Sequence, residues 1–251
     1  MRSATQELEY SFKEGLDPPV VFIHGWLGSG EFWRHITRRM EFENASLRYD
    51  QRAHGGSADG GFDIDSLAED LERLLNETGL ENPILVGHSM GGMVSLKYAT
   101  RNSVSGLCLL GTCASTPEPE YRSVRYFLDR FESIERSDWA KGIAENYVGG
   151  SDEKMRRMTE KELLNADRGP IIDGLEAMVK YDVREELEGL EADSLVVAGE
   201  QDGAITMEKS RELAELVDAE LIRVDTGHQM LPEAPDEISG LVQRFIRDCS
   251  T

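Results

Sequence analysis

A serine flanked by glycines stands where a strand-like apolar run gives way to a helical one. The stretch Pro83–Ala99 reads PILVGHSMGGMVSLKYA and contains the pattern G-x-S-x-G, with Ser89 at its centre. A nucleophilic serine must stand clear of a sheet on a sharp turn, and glycine at 87 and 91 removes side chains that would collide there. A helix starting behind the serine would direct free N–H groups at developing negative charge. The pattern predicts a nucleophile rather than a glycine-rich junction with an incidental serine.

A serine needs a base to activate it, and the base needs an acid to orient it. His228 lies in the turn TGHQM after a strand-like run, and the alternative is an ordinary surface histidine. Three carboxylates compete as the acid. Glu200 and Asp202 both follow the run Ser194–Gly199, and Asp225 ends the run before His228. The residues alone leave this choice open.

Four motifs carry a resemblance to a known family. They are HGW (His24–Trp26), DQRAHGGS (Asp50–Ser57), GHSMGG (Gly87–Gly92), and a late acid and histidine in AGEQD (Ala198–Asp202) and TGHQM (Thr226–Met230). With them the chain resembles the α/β-hydrolase superfamily over nearly all of its core. Resemblance of this kind supports the fold more strongly than the substrate.

The resemblance implies a catalytic triad in the order serine, acid, histidine, here Ser89, Asp202 and His228. It also implies an oxyanion hole made of two backbone N–H groups, those of Met90 and Trp26. His24 then belongs to the loop that carries Trp26. We interpret His35, on a helix, and His54, in the turn after a strand, as structural, and His88 as the variable position beside the nucleophile.

Short apolar runs alternate with helical patterns, which predicts an α/β fold with a mostly parallel sheet. The predicted strands are Val20–His24, Ser46–Asp50, Pro83–His88, Gly106–Gly111, Ser194–Gly199 and Glu220–Asp225. A helix is predicted from Ile64, with Asp63 as its cap and Gly79 as its end, and another over Ile238–Ile246.

The segment 115–188 contains no strand pattern, only helical periods at Val124–Phe131 and Met155–Leu164. Because STPEPE (Ser115–Glu120) opens it with two prolines, we predict a helical cap inserted into a core of 1–114 and 189–251. The cap offers apolar side chains to a pocket or to its own core: Tyr126, Phe127, Phe131, Trp139, Met155 and Met158.

The formal charge is −21, from 27 basic and 48 acidic residues, and only 7 of the basic residues are lysine. This balance argues against nucleic acid or an anionic membrane as a partner and is compatible with adaptation to salt. No apolar run is long enough to span a membrane, and the first ten residues lack the apolar core of a signal peptide, so a cytoplasmic protein is expected. Three cysteines without C-x-x-C spacing do not suggest a disulfide framework.

No metal, nucleotide or other cofactor is expected. The sequence lacks H-E-x-x-H spacing, a phosphate loop with lysine, and G-x-G-x-x-G. A binding module on this fold usually lacks part of the triad, whereas here all three types are present. The resemblance therefore implies a cofactor-independent carboxylesterase that cleaves a small-molecule ester through an acyl-enzyme. The sequence leaves its oligomeric state open.

Two other chemistries share the scaffold. The chain is similar to a menaquinone-pathway lyase (SHCHC synthase) in HGWLGSGEFW, but it has Met93 where that family usually has arginine. It is also similar to C–C hydrolases and enol-lactonases in DQRAHGGS and GHSMGGM. In those enzymes cap arginines could hold acidic substrates, and the candidates here are Arg122, Arg125 and Arg130.

Overall fold

The centre of the molecule is a seven-stranded sheet. A computed structural model describes residues 7–116, 133–150 and 153–250. The strands are β1 (Tyr10–Lys13), β2 (Leu16–Ile23), β3 (Asn44–Tyr49), β4 (Ile84–His88), β5 (Gly106–Leu110), β6 (Ser194–Gly199) and β7 (Glu220–Val224). They lie in the order β1-β3-β2-β4-β5-β6-β7, and β1 alone is antiparallel to its neighbour. The predicted α/β class with a mostly parallel sheet is confirmed.

Each predicted strand corresponds to an observed one: Ser194–Gly199 matches at both ends, and the ends of the others differ by at most four residues. The largest difference is at β2, which begins at Leu16, because its first residues are exposed and give no apolar signal. The sequence analysis missed β1 altogether. All four of its side chains are exposed at the edge of the sheet, so it lacks the buried face that makes a strand recognisable.

Helices cover both faces of the sheet. They are α1 (Arg34–Thr37), α2 (Ile64–Thr78), α3 (Met90–Ala99), α4 (Arg136–Tyr147), α5 (Glu153–Asn165), α6 (Arg168–Val179), α7 (Met207–Leu216), α8 (Met230–Glu233) and α9 (Pro235–Asp248). Short 3₁₀ turns occur at Gly30–Trp33 and Glu185–Leu187. The predicted caps of α2 are confirmed: Asp63 accepts the N–H of Ser66 at 2.8 Å, and Gly79 has a φ of +68°. The predicted helix Val124–Phe131 lies outside the described residues.

Helices α4, α5 and α6 all come between β5 and β6, where the sequence predicts the insertion. The chain leaves and re-enters the core at one point, because Ser115 and Asp182 form an antiparallel bridge there. The bridge is extended by the N–H of Val183, which donates to the carbonyl of Ala114 at 2.9 Å. The division of the chain into core and cap remains a prediction.

Two hydrophobic clusters hold the layers together, one on each side of the sheet. One packs α2 and α3 against the strands and extends to Trp139 of α4 and Leu163 of α5. The other packs α9 against the opposite face through Ile238, Val242 and Ile246. Within the described ranges no helix is both long and apolar enough to cross a membrane. The carboxyl ends of the parallel strands meet at one edge, where such sheets place their ligand sites.

Candidate active site

Ser89 occupies a strained turn between β4 and α3. Its φ of +54° and ψ of −121° lie in a region that few non-glycine residues adopt, at a cost of about 1–3 kcal/mol. The surroundings leave no room for side chains beside it. A Cβ at Gly87 would come within 2.5 Å of Ser95 Oγ, and one at Gly91 within 2.0 Å of the Ile23 carbonyl oxygen. The glycine at 91 therefore prevents a collision with the end of β2 as well as permitting the turn.

The turn brings Ser89 against His228, and His228 against Asp202. Ser89 Oγ lies 2.9 Å from His228 Nε2, and His228 Nδ1 lies 2.8 Å from Asp202 Oδ2. The side chains of His228 and Asp202 are 2% and 1% exposed, and Ser89 is a buried residue. Because a carboxylate only accepts hydrogen bonds, the proton of the neutral imidazole is on Nδ1 and Nε2 presents a lone pair to the serine. The arrangement can take a proton from the serine hydroxyl.

Asp202 is fixed in place by the backbone. Its Oδ1 accepts the N–H groups of Ala204 and Ile205, both at 2.8 Å, which leaves Oδ2 free to face the imidazole. The two competing carboxylates are placed differently. Glu200 is exposed, and Asp225 accepts a hydrogen bond from Gln201 Nε2 at 2.6 Å on the surface. Of the three candidates, Asp202 is the one that contacts the histidine.

His88 supports the turn that carries His228. Its Nε2 donates to the backbone carbonyl of His228 at 2.8 Å, and the two rings lie 5.0 Å apart. Burial, together with the neighbouring His228, lowers the pKa of His88 to about 3. His88 is therefore neutral at physiological pH and acts as a hydrogen-bond donor. The sequence analysis assigned it no contact.

The two expected N–H donors belong to two different segments near Ser89. Met90 is the first residue of α3, so its N–H has no acceptor within the helix. Trp26 follows β2 in a loop that packs closely on Ser89, since a Cβ at Gly25 would lie 3.1 Å from Ser89 Cβ. The Trp26 indole has a second contact: its Nε1 donates to the Pro170 carbonyl at 3.0 Å. The side chain thus joins the loop after β2 to α6.

The comparisons with known proteins agree with this architecture. A family model described as the alpha/beta hydrolase fold matches residues 18–138, a range that contains β2 to β5 and the serine turn. The chain belongs to the α/β-hydrolase superfamily. It is 26% identical over 246 residues to the AB hydrolase superfamily protein YisY of Bacillus subtilis, covering 90% of this chain and 91% of that protein. It is also 26% identical over 241 residues to the non-heme chloroperoxidase CPO-A1 of Kitasatospora aureofaciens, covering 88% of each.

Two solved structures show the same fold. An esterase from Exiguobacterium antarcticum superposes with a TM-score of 0.86 at 21% identity, covering 96% of both chains. The enol-lactonase from Burkholderia xenovorans LB400 gives a TM-score of 0.86 at 23% identity, covering 97% of this chain and 98% of that one. At this level of identity the likeness establishes the fold and leaves the substrate of this α/β hydrolase to the site itself.

A small cavity of about 70 Å³ adjoins Ser89 in this α/β hydrolase. Its floor is made by the serine turn, by His228 and Gln229, and by the Gly25–Gly28 loop with Phe32. The inserted segment supplies the rest of the lining: Tyr147, Thr159, Glu162 and Leu163. Glu162 is the one charged group among these four, and burial raises the pKa of its carboxyl. Sequence analysis missed all four, because the insertion carries no motif that marks a position as facing Ser89.

The other expectations for the cap fall in two groups. Trp139 is buried and meets Trp26 edge to face at 6.4 Å, whereas Met158 is 46% exposed and faces away from any core. The remaining aromatic and arginine candidates lie outside the described residues: Arg122, Arg125, Arg130, Tyr126, Phe127 and Phe131.

The remaining histidines, His24, His54 and His35, have contacts other than Ser89. His24 accepts the N–H of Gln51 through Nε2 at 2.9 Å, and burial lowers its pKa to about 3. His54 is buried and donates from Nδ1 to the Arg52 carbonyl at 2.8 Å, and His35 is exposed on α1. Among residues 7–116, 133–150 and 153–250, no three histidine, cysteine or carboxylate side chains cluster as metal ligands.

Proposed function

We propose that this α/β hydrolase cleaves carboxylic esters of small acids, with Ser89 as nucleophile, His228 as base and Asp202 as the orienting acid. The observation that carries the proposal is the continuous hydrogen-bonded chain from Ser89 Oγ through His228 to Asp202, with steps of 2.9 and 2.8 Å. Both distances are within the range over which a proton moves directly between side chains. Relatives named for esterase and haloperoxidase activity are compatible with this chemistry.

The reaction has two halves. Ser89 Oγ bonds to the acyl carbon while His228 Nε2 takes its proton, and the backbone N–H groups of Met90 and Trp26 stabilise the oxyanion. Collapse of this intermediate breaks the bond to the leaving alcohol, which receives the proton from His228 and departs. Water then gives a proton to His228 and attacks the acyl-Ser89, which releases the acid and restores the serine hydroxyl.

The size of the cavity favours a short acyl group. A volume of about 70 Å³ is well below the roughly 300–1,000 Å³ of pockets that enclose drug-sized ligands. One water molecule in the liquid occupies about 30 Å³, so the space corresponds to an acyl group of a few heavy atoms. We therefore assign acetyl to butyryl esters as substrates and expect activity to fall with longer chains.

The charge of the cavity lining disfavours the lyase and the C–C hydrolase or enol-lactonase chemistries when their substrates are acidic. Glu162 places a carboxyl group beside the cavity, and the described lining contains no lysine or arginine. A carboxylate substrate bound there would meet a like charge in a partly desolvated site. Neutral esters and lactones avoid this repulsion, so an enol-lactone without a free carboxylate is the closest alternative substrate.

A phosphonofluoridate probe tests the nucleophile directly. We expect its mass to add to the intact protein and peptide mapping to place it on Ser89, because an ordinary serine hydroxyl reacts far too slowly at neutral pH. Ser89→Ala should lose labelling and ester turnover together, and His228→Ala should lose nearly as much, since triad members act as a unit. Ser95→Ala is the matched control, because Ser95 is buried on α3, the helix that follows Ser89, and its Oγ donates to the Gly91 carbonyl rather than to His228. Ester turnover that survives in Ser89→Ala would refute the proposal that Ser89 is the nucleophile.

Pre-steady-state kinetics distinguishes ester hydrolysis from the lyase chemistry. Among p-nitrophenyl esters with acyl chains of two to twelve carbons, those with two to four carbons should be hydrolysed with the highest kcat/KM. Where deacylation is slow, a burst of p-nitrophenol close to one equivalent per site is expected, because an acyl-enzyme accumulates. The lyase forms no acyl-enzyme and would give no burst.

A further inference from the structure

Glu233 joins two distant segments through a single oxygen atom. It is the last residue of α8, five residues after His228, and its side chain is half-buried. Its Oε2 accepts the N–H of Gly227 at 2.8 Å and the N–H of Gly149 at 3.3 Å. Gly227 directly precedes the histidine, and Gly149 lies two residues beyond the end of α4. The carboxylate thus ties the histidine turn to the inserted segment.

The backbone makes the same junction beside it. The N–H groups of His228 and Gln229 both donate to the Tyr147 carbonyl, at 2.7 and 3.3 Å, and the Tyr147 and His228 rings lie 4.8 Å apart. The two glycines touch: a Cβ at Gly227 would lie 2.1 Å from the Gly149 nitrogen, and one at Gly149 would lie 2.4 Å from the Gly227 nitrogen. The position of His228 therefore depends on contacts with residues 147–149.

We propose that Glu233 is a positioning residue, which holds the His228 turn against the end of α4 so that Nε2 stays within reach of Ser89 Oγ. The inference rests on the proposed function, because it is the proton transfer from Ser89 that needs this placement. One acceptor oxygen receives two backbone N–H groups, so it fixes the turn before His228 and the segment after α4 relative to each other. Displacement of a catalytic group by about 1 Å can cost on the order of 100-fold in rate.

The second oxygen indicates that the acceptor, more than the charge, performs this role. Oε1 is buried and has no hydrogen-bond partner among the described residues, so the contacts of the carboxylate are the two backbone N–H groups on Oε2. Burial raises the pKa of Glu233, and the hydrogen bonds from the Gly227 and Gly149 N–H groups partly offset this rise. A neutral side chain of the same shape keeps one acceptor oxygen for the two N–H groups. Glutamine should therefore replace glutamate with little loss, whereas alanine should not.

The experiment compares Glu233→Ala and Glu233→Gln with Glu237→Ala, an exposed glutamate one turn into α9. With p-nitrophenyl acetate we expect kcat of Glu233→Ala to fall about 10- to 100-fold with KM changed less than threefold. Glu233→Gln should keep kcat within threefold of the wild type, and Glu237→Ala should match the wild type. Gly149→Ala, which disturbs the junction from the other side, should reproduce the loss with Glu233 intact.

Each contrary result overturns the proposal. Wild-type kcat in Glu233→Ala would show that the contact positions nothing, and a glutamine variant as slow as the alanine one would assign the effect to charge. If Glu233→Ala does not fold, the glutamine and Gly149→Ala variants decide in the same way. The low-field proton resonance of His228 Nδ1–H provides a readout without turnover. It should shift or broaden in Glu233→Ala and Gly149→Ala, even if the wild type hydrolyses no ester and the proposed function fails.

Discussion

Replacing Asp202 by asparagine tests whether the carboxylate sets the tautomer of His228. Oδ1 of Asp202 accepts two backbone N–H groups, from Ala204 and Ile205, and Oδ2 faces His228 Nδ1 at 2.8 Å. Asparagine has a single carbonyl oxygen. If that oxygen keeps the two backbone donors, its NH₂ group faces Nδ1, and the imidazole must place its proton on Nε2. The lone pair that takes the proton from Ser89 is then lost.

The size of the effect follows from the cost of the opposite orientation. Turning the amide so that its oxygen faces His228 leaves two partly buried backbone N–H groups without their acceptor, at about 1–3 kcal/mol each. The productive orientation therefore lies about 2–6 kcal/mol higher, which corresponds to a loss of about 30- to 25,000-fold in kcat at 1.36 kcal/mol per decade. The same substitution in serine proteases costs about 10⁴ in turnover, at the upper end of that range.

Steady-state hydrolysis of p-nitrophenyl acetate measures this loss, and thermal unfolding checks that the nearly isosteric variant is folded. Glu200→Gln and Asp225→Asn are the controls, since neither side chain contacts His228, and both should keep kcat within twofold of the wild type. The reasoning is refuted if Asp202→Asn retains more than a tenth of wild-type kcat while folded. A large loss of kcat in Glu200→Gln would instead assign the role of the orienting acid to Glu200.

Three further predictions concern charge. If the −21 charge is a salt adaptation, Tm should rise between 0.1 and 1 M KCl as the Debye length falls from about 10 to about 3 Å, and a flat curve would reject that idea. Burial holds the pKa of His24 and His88 near 3, below the unfolded value of about 6.5, so protons bind the unfolded chain better. Urea unfolding should therefore show stability falling below pH 6.5, by up to about 1.4 kcal/mol per pH unit for each histidine, and less steeply in His88→Gln. Glu162→Gln should raise kcat/KM for monoanionic esters several-fold and leave neutral esters unchanged; equal effects on both would show that Glu162 does not repel substrate.

Local patterns in the sequence determined the sheet and the serine turn. The central strands are apolar at consecutive positions because both of their faces are buried, and that signal needs no knowledge of the partner strand. The glycines at 87 and 91 likewise predict a turn that has no room for side chains at these positions. Helix α2 could be bounded in advance because Asp63 and Gly79 act on backbone groups within a few residues of themselves.

Long-range packing decided the rest. Strand β1 exists because Tyr10 pairs with Tyr49 across the chain, and its own exposed residues carry no pattern. The sequence offered three acids near the ends of two strands, and only the folded backbone turns Asp202, not Glu200, toward His228. Glu233 accepts the N–H of Gly149, which lies 84 residues earlier in the chain. A pattern records what neighbouring residues do to one another, whereas such contacts depend on how helices and strands far apart in sequence stack, and that arrangement exists only in the tertiary structure.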